Sequence, residues 1–203
     1  MYGKKRKISS GFLFVVGGPG ASGSSVISSM LAKHFKLEHV NAGEIFREIV
    51  RERYGKSIEE FFTDSNKDVL SDIDREVDER LLEIAMRKDV LIESKIFAAL
   101  ASLYDIPCTV KIWLDASLHV RTMRSMKKSC VGSWGELFVR YLPVRHSLYK
   151  RRIFDRERYW ELYGIDYDLP FVYNDIVIDS SAMDERMTFK LLLKNLKDGG
   201  YVK

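Results

Sequence analysis

The stretch Phe12-Leu-Phe-Val-Val-Gly-Gly-Pro-Gly-Ala-Ser-Gly-Ser-Ser25 decides how this chain folds. Its first five residues are apolar and predict a buried strand of a parallel sheet. A glycine-rich turn follows, and apolar residues then recur with helical spacing from Val26 to Phe35. A strand, a glycine-rich loop and a helix in this order favour the binding of an anion, because the first N–H groups of a helix lack backbone partners.

This loop fits two phosphate-binding templates. The pattern Gly18-x-Gly20-x-x-Gly23 matches the dinucleotide fingerprint, whereas Gly18 and Gly23 followed by Ser24 and Ser25 match a P-loop that lacks its lysine. Either match alone has low specificity, so the rest of the chain has to separate them.

Three observations favour the P-loop. A dinucleotide site uses an acidic residue at the end of the second strand, and Val40-Asn41-Ala42 offers none there. A nicotinamide enzyme usually carries a further catalytic domain, for which 203 residues leave no room. Paired hydroxyls such as Ser24 and Ser25 suit a P-loop, since one can ligate Mg²⁺ while backbone amides hold phosphate.

Strands and helices alternate along the remaining chain, which predicts an α/β fold with helices on both faces of a parallel sheet. We find no interdomain linker and expect one domain over residues 1–203. The predicted strands are 12–16, 38–41, 89–93, 109–115 and 175–179, and the clearest further helices are 44–54, 69–88 and 184–196.

Composition is that of a soluble protein, with 46% apolar and 31% charged residues. No apolar stretch approaches the roughly 20 residues that span a bilayer, and no secretory leader follows the basic start. The two cysteines, Cys108 and Cys130, form no CxxC pair, and the four histidines show no metal-ligand spacing. We therefore expect a cytoplasmic protein without a zinc cluster or a membrane partner.

Positive charge is concentrated in one region. Residues 119–158 hold eleven lysines and arginines against three acidic residues, although the net charge of the whole chain is only +4. A local basic region on an otherwise acidic protein favours an anionic small ligand over a nucleic-acid coat. The basic tail, residues 1–9 with Lys4-Lys-Arg-Lys7, is interpreted as a short solvated segment.

Six further blocks occur in the order found in one family. They are Val40-Asn-Ala-Gly-Glu-Ile-Phe-Arg47, Ile73-Asp-Arg-Glu-Val-Asp-Glu-Arg80, Val90-Leu-Ile-Glu93, Lys111-Ile-Trp-Leu-Asp115, Arg156-Glu-Arg-Tyr159 and Glu161-Leu-Tyr-Gly-Ile-Asp166. With these blocks the chain resembles the nucleoside monophosphate kinases, and most closely the archaeal-type (type 2) cytidylate kinases. The resemblance covers most of residues 12–181 and implies a three-layer P-loop kinase fold with about five strands.

The resemblance also implies roles for individual residues. The phosphates of ATP are expected on the loop, and Ser25 is the expected ligand of Mg²⁺. The acceptor nucleotide is expected on a helical insertion at about 43–88, where Arg47 would grip its phosphate and Asp74 would hold the base or orient arginines. The full sets are Gly18, Gly20, Ser22, Gly23, Ser24 and Ser25 for ATP, and Gly43, Arg47, Asp74 and Lys95 for the acceptor.

A lid is expected at about 145–160, with Arg151, Arg152, Arg156 and Arg158 neutralising the transferred group. Residues four and seven apart share a helical face, so Arg152 pairs with Arg156 and Arg151 with Arg158. The competing interpretation of this segment is a solvated amphipathic helix.

Three departures from the family pattern are visible. Ser24 occupies the position of the P-loop lysine, Ser94-Lys95 replaces a Gly-Arg pair, and the aromatic stretch 129–143 departs from the family pattern, as an insertion or a partner surface would. The leading hypothesis is transfer of the γ-phosphoryl group of ATP to CMP, with dCMP or UMP as further acceptors, by a monomer. The alternatives are a kinase-derived nucleotide-binding or regulatory protein without turnover, and a kinase for AMP or another small acceptor.

Overall fold

The computed structural model describes residues 11–58, 60–61, 67–129 and 134–203 of the chain. The basic tail at 1–9 lies outside these ranges. Within them, five parallel strands form one sheet, and each strand is within two residues of its predicted position. They are β1 (Leu13–Gly17), β2 (Glu38–Asn41), β3 (Val90–Glu93), β4 (Val110–Asp115) and β5 (Ile176–Asp179).

Helices follow each strand in the described part of the chain. They are α1 (Ser24–Phe35), α2 (Ala42–Tyr54), α3 (Lys67–Ala85), α4 (Phe97–Leu103), α5 (Leu118–Ser129), α6 (Trp134–Tyr163), α7 (Pro170–Tyr173) and α8 (Glu185–Asp198). None of the helices in these ranges is both long and apolar enough to cross a membrane.

Strand β1 is buried on both faces, and its side chains alternate between two apolar clusters. Leu13 and Val15 join one cluster, whereas Phe14 and Val16 join the other together with Leu31 of α1 and Leu192 of α8. This alternation is the period of a strand, and burial of both faces requires helices above and below the sheet. The predicted three-layer α/β fold is therefore confirmed.

The strand order β2-β3-β1-β4-β5 places β1 in the middle of the sheet. After β1 the chain crosses to the outer strand β2 and returns through β3, so the connections diverge at the carboxyl end of β1. In the register of the sheet, Glu93 lies beside Val16 on one side and Asn41 on the other. The ends of β1, β2 and β3 therefore meet at one edge, where open α/β sheets bind ligands.

Helix α6 differs most from expectation. It runs for 30 residues with Pro143 inside it, so residues 134–143 of the aromatic stretch belong to a continuous helix. Tyr141 contacts α5, with 2.8 Å between its hydroxyl and His119 Nδ1. The side chains of Trp134 and Phe138, like residues 130–133, lie outside the described part of the structure.

Candidate active site

A cavity of about 340 Å³ opens where β1, β2 and β3 end. The glycine loop forms one wall, and residues of α2, α3 and α6 form the other. The predicted site residues that line this cavity are Gly18, Gly20, Ser24, Ser25, Gly43, Arg47, Asp74, Lys95, Arg151 and Arg158. Ser22, Gly23, Arg152 and Arg156 are not among its lining residues.

The glycine loop has its shape because two positions exclude a side chain. A Cβ atom at Gly18 would lie 2.3 Å from the carbonyl oxygen of Leu114 and 2.5 Å from Ser22 Oγ. Gly23 precedes α1 with a φ of 99°, in the left-handed region that favours glycine. No side chain caps the N-terminus of α1, so its first N–H groups stay available to an anion.

Two arginines of α5 donate hydrogen bonds to carbonyl oxygens of the glycine loop. The sequence patterns do not assign them this role. Arg124 donates to the carbonyl oxygen of Ser22 at 2.7 Å and to that of Ser180 at 2.8 Å. Arg121 is buried and donates to the carbonyl oxygen of Gly20 at 3.2 Å. Part of the basic region at 119–158 therefore shapes the loop, and its guanidinium groups are occupied by backbone carbonyls.

Glu93 at the end of β3 is the centre of a polar cluster. Its Oε1 accepts a hydrogen bond from Ser25 Oγ at 2.5 Å, and its Oε2 accepts one from Asn41 at 2.8 Å and lies 3.1 Å from His39 Nε2. Burial raises the pKa of Glu93, but the hydrogen bonds from His39, Ser25 and Asn41 outweigh it and hold the pKa below its usual value. Glu93 is therefore ionised at neutral pH.

The pair of Ser25 and Glu93 has the chemistry of a Mg²⁺ site. A hydroxyl and a carboxylate are hard oxygen ligands, and Mg²⁺ bound with substrate phosphates takes only one or two groups from the protein. The described residues contain no cluster of three or more His, Cys, Asp or Glu that could hold a metal alone. The sequence pattern indicates Ser25 as a ligand of Mg²⁺ but does not indicate Glu93. The signal for Glu93 is that the predicted strand 89–93 ends in an acidic residue.

Asn41 connects this cluster to the acceptor side of the cavity. Its Oδ1 accepts a hydrogen bond from the N–H of Glu44 and so caps α2, while its Nδ2 donates to Glu93. Helix α2 carries Gly43 and Arg47 into the cavity wall. Among the described residues, Arg47 and Arg151 line the cavity without an ion-pair partner, so both guanidinium groups are available to phosphate.

Two other cations of the cavity are held by buried carboxylates. Lys95 forms an ion pair with Asp155 of α6. Arg158 lies 3.1 Å from Asp74 Oδ2 and 3.3 Å from Asp155 Oδ1. Burial lowers the pKa of Lys95, Asp155 opposes this change, and the nearby charge of Arg151 adds to it. This network joins β3, α3 and α6 around the cavity.

Asp78 lies one turn after Asp74 on α3, and both line the cavity. Burial raises the pKa of Asp74 to about 6, against the opposing charge of Arg158. Burial raises the pKa of Asp78 to about 7, although Tyr163 donates a hydrogen bond to it at 2.7 Å. Asp78 belongs to the block 73–80 of the sequence, but the sequence pattern indicates no role for it.

The four arginines of the predicted lid divide into the two pairs that helical spacing indicates. Arg151 and Arg158 line the cavity. Arg152 and Arg156 both contact Asp168, at 2.9 Å and 3.4 Å. The structure therefore brings only the first pair to the glycine loop.

Comparisons with known proteins agree with this geometry. The AAA domain family model matches residues 16–129. Cytidylate kinase of Methanopyrus kandleri is 34% identical over 186 residues, spanning 89% of this chain and 90% of that protein. Cytidylate kinase of Pyrococcus abyssi is 35% identical over 180 residues, spanning 89% and 91%. Shikimate kinase from Acinetobacter baumannii, solved in complex with shikimate, shares the fold with a TM-score of 0.59 at 14% identity, over 95% of this chain and 96% of that one.

Proposed function

Since this chain belongs to the cytidylate kinase family, we propose that it transfers the γ-phosphoryl group of ATP to the phosphate of CMP, giving ADP and CDP. One observation carries the proposal. The uncapped start of α1 and three cations from other elements, Arg47, Lys95 and Arg151, line the same cavity. Two phosphate-binding surfaces that face one space are what a phosphoryl transfer between two nucleotides needs.

The glycine loop from Gly18 to Ser25 would hold the phosphates of ATP, and Ser25 with Glu93 would hold Mg²⁺. The ion would neutralise charge on the donor phosphates when it is bound. The phosphate of CMP would lie against Arg47, Gly43 and Lys95. This division is supported by two observations: Ser25 of the loop donates a hydrogen bond to Glu93, and Gly43 and Arg47 of α2 line the same cavity.

The chemical step needs no side-chain base. An oxygen of the CMP phosphate is already anionic, so it attacks the γ-phosphorus directly while the bond from that phosphorus to the β–γ bridging oxygen breaks. The protein supplies position and positive charge. Because no residue from Gly17 to Ser25 is basic, Arg151 would supply the charge that a P-loop lysine usually brings.

The helix that carries Arg151 and Arg158 would act as the lid, over about 145–160 within α6. Closure would bring these arginines toward the transferred group and exclude water. We expect a monomer that acts on small nucleotides in the cytoplasm, without nucleic acid as a partner.

The test is a coupled assay of ADP release with ATP, Mg²⁺ and each of CMP, dCMP, UMP and AMP, together with calorimetric binding of CMP. We expect turnover with CMP to be the fastest. The variant Arg151→Ala should lower kcat/KM by about a hundredfold, as for loss of a group that stabilises transition-state charge. Arg87→Ala, an exposed arginine paired with Glu38, is the control and should keep the wild-type rate.

Two results would contradict the proposal. Binding of CMP without turnover would favour a nucleotide-binding protein that has lost its chemistry, and would direct attention to Ser24. If turnover were fastest with AMP, the chain would still be a kinase, but its preferred acceptor would be AMP and not CMP.

A further inference from the structure

Asp78 has an acceptor atom that no group in the described part of the chain uses. The residue is 7% exposed and lines the cavity. Its Oδ2 accepts a hydrogen bond from the hydroxyl of Tyr163 at 2.7 Å. In the described part of the chain, its Oδ1 accepts no hydrogen bond and Asp78 has no ion-pair partner.

This arrangement differs from that of its neighbour on the same face of α3. Asp74 forms an ion pair with Arg158, with 3.1 Å between Oδ2 and Nε but no hydrogen bond between these two atoms, so its charge has a structural partner. Asp78 has none. A buried carboxyl without a cation is costly, and burial raises its pKa to about 7. A ligand that donates a hydrogen bond to Oδ1 would recover part of this cost.

The chemistry of the cavity decides which part of a nucleotide reaches Asp78. A phosphate is repelled by two carboxyls and is attracted to Arg47, Lys95 and Arg151, which line the same cavity. The base is uncharged and carries hydrogen-bond donors. Apolar side chains line the cavity as well and suit the faces of a flat ring, namely Phe46, Ile58, Val77 and Tyr159.

We propose that Asp78 Oδ1 accepts a hydrogen bond from the exocyclic 4-amino group of cytosine and thereby sets the preference for CMP over UMP. Uracil carries a 4-oxo group at this position, which would face an oxygen of the ionised carboxylate with no proton between them. Tyr163 is the positioning residue, because its hydroxyl occupies Oδ2 and leaves Oδ1 to the base. This inference rests on the proposed function, since it assumes that the cavity takes a pyrimidine nucleotide.

The variant Asp78→Asn tests the proposal. The hydroxyl of Tyr163 would donate to the amide oxygen, so the amide NH₂ would face the base. The amide NH₂ can donate a hydrogen bond to the 4-oxo group of uracil. Against the 4-amino group of cytosine it places two donors face to face with no acceptor between them. We expect the ratio of kcat/KM for CMP to that for UMP to fall by roughly tenfold to a hundredfold, the range for one buried polar group left unpaired.

Two controls separate base recognition from a loss of structure. Asp72→Asn makes the same change on the same helix at a side chain that is 72% exposed, and should leave the ratio unchanged. Ribose 5-phosphate has no base, so its inhibition constant should be the same in Asp78→Asn and in the wild type.

Tyr163→Phe tests the positioning role of Tyr163. It should raise KM for CMP, leave kcat unchanged, and reduce the ratio less than Asp78→Asn does.

An unchanged ratio in Asp78→Asn would overturn the inference, and so would an equal loss of affinity for CMP and for ribose 5-phosphate. If the wild type turned over no nucleotide, the proposed function would fail instead. Asp78 would then be tested by calorimetry, where the affinity for CMP relative to UMP should fall in Asp78→Asn by the same factor.

Discussion

The two walls of the cavity are built by different means. The loop wall, residues 17–25, contains no charged side chain, and glycine geometry and backbone hydrogen bonds give it its shape. The helix wall is dense in charge, with Arg47, Arg151 and Arg158 beside Asp74 and Asp78. This chain therefore keeps the backbone part of a phosphate loop, and the positive charge of the cavity lies on surrounding elements.

The largest expected effect tests whether the helix wall is a connected network. Arg158→Ala leaves Asp74 and Asp155 buried without their shared cation. Removing one partner of a buried pair costs about 3–5 kcal/mol, so the free energy of unfolding should fall by about that amount in urea titrations.

Arg156→Ala is the matched control for this stability measurement. Arg156 is on the same helix, its side chain is 51% exposed, and it contacts Asp168 at 3.4 Å. An exposed pair contributes about 0–1 kcal/mol, so its loss should be small. Equal losses in the two variants would show that the network around Arg158 adds nothing beyond surface charge.

The next effect concerns Glu93 of β3, which accepts a hydrogen bond from Ser25 of the loop wall. Glu93→Gln keeps the size of the side chain but removes the negative charge beside Ser25. We expect the Mg²⁺ concentration for half-maximal activity to rise about 10- to 100-fold, as for other changes next to a bound metal. Removal of Mg²⁺ with EDTA should abolish turnover in both proteins.

Glu38→Gln provides the control for Glu93, because Glu38 begins β2 at the opposite edge of the sheet and pairs with Arg87 on the surface. Its Mg²⁺ dependence should equal that of the wild type. An unchanged Mg²⁺ dependence in Glu93→Gln would show that this carboxylate does not bind the metal.

Asp78, an acidic residue of the helix wall, should affect how the free energy of unfolding changes with pH. Burial raises the pKa of Asp78 to about 7, so the folded chain keeps a proton that the unfolded chain loses near pH 4. The contribution of Asp78 to the free energy of unfolding therefore falls as the pH rises from about 4 to about 7, by up to about 1.4 kcal/mol per pH unit. Asp78→Asn removes this group, and urea titrations over that range should give a shallower slope, whereas Asp72→Asn should keep the wild-type slope.

The sequence predicted the loop wall well because that wall is local. A strand, glycines at fixed spacing and a helix start lie within 20 residues, and the parallel order of strands follows from their alternation with helices. The i, i+7 spacing of Arg151 and Arg158 also indicated which arginines share a face.

The helix wall was less predictable because its contacts join distant parts of the chain. Lys95 meets Asp155 across 60 residues, and Tyr163 meets Asp78 across 85. A pattern within one helix cannot show that Arg152 and Arg156 form ion pairs with Asp168 and do not line the cavity. Pro143 is a further case, since proline usually ends a helix and here lies inside α6.

The smallest expected effect tests the contrast between the walls directly. If the helices already supply the positive charge, Ser24→Lys should change kcat/KM by less than about tenfold, well below the 10²–10³ of a missing transition-state donor. Ser24 Oγ lies 3.4 Å from Glu93 Oε1, so a lysine there also gains a carboxylate partner that holds part of its charge. The double variant Ser24→Lys with Arg151→Ala should recover much of the activity lost in Arg151→Ala, because a loop cation then replaces a helix cation. A hundredfold gain from Ser24→Lys alone would mean that the loop wall lacks a charge that the helices do not provide, and no rescue in the double variant would mean that Arg151 acts at a different point of the reaction.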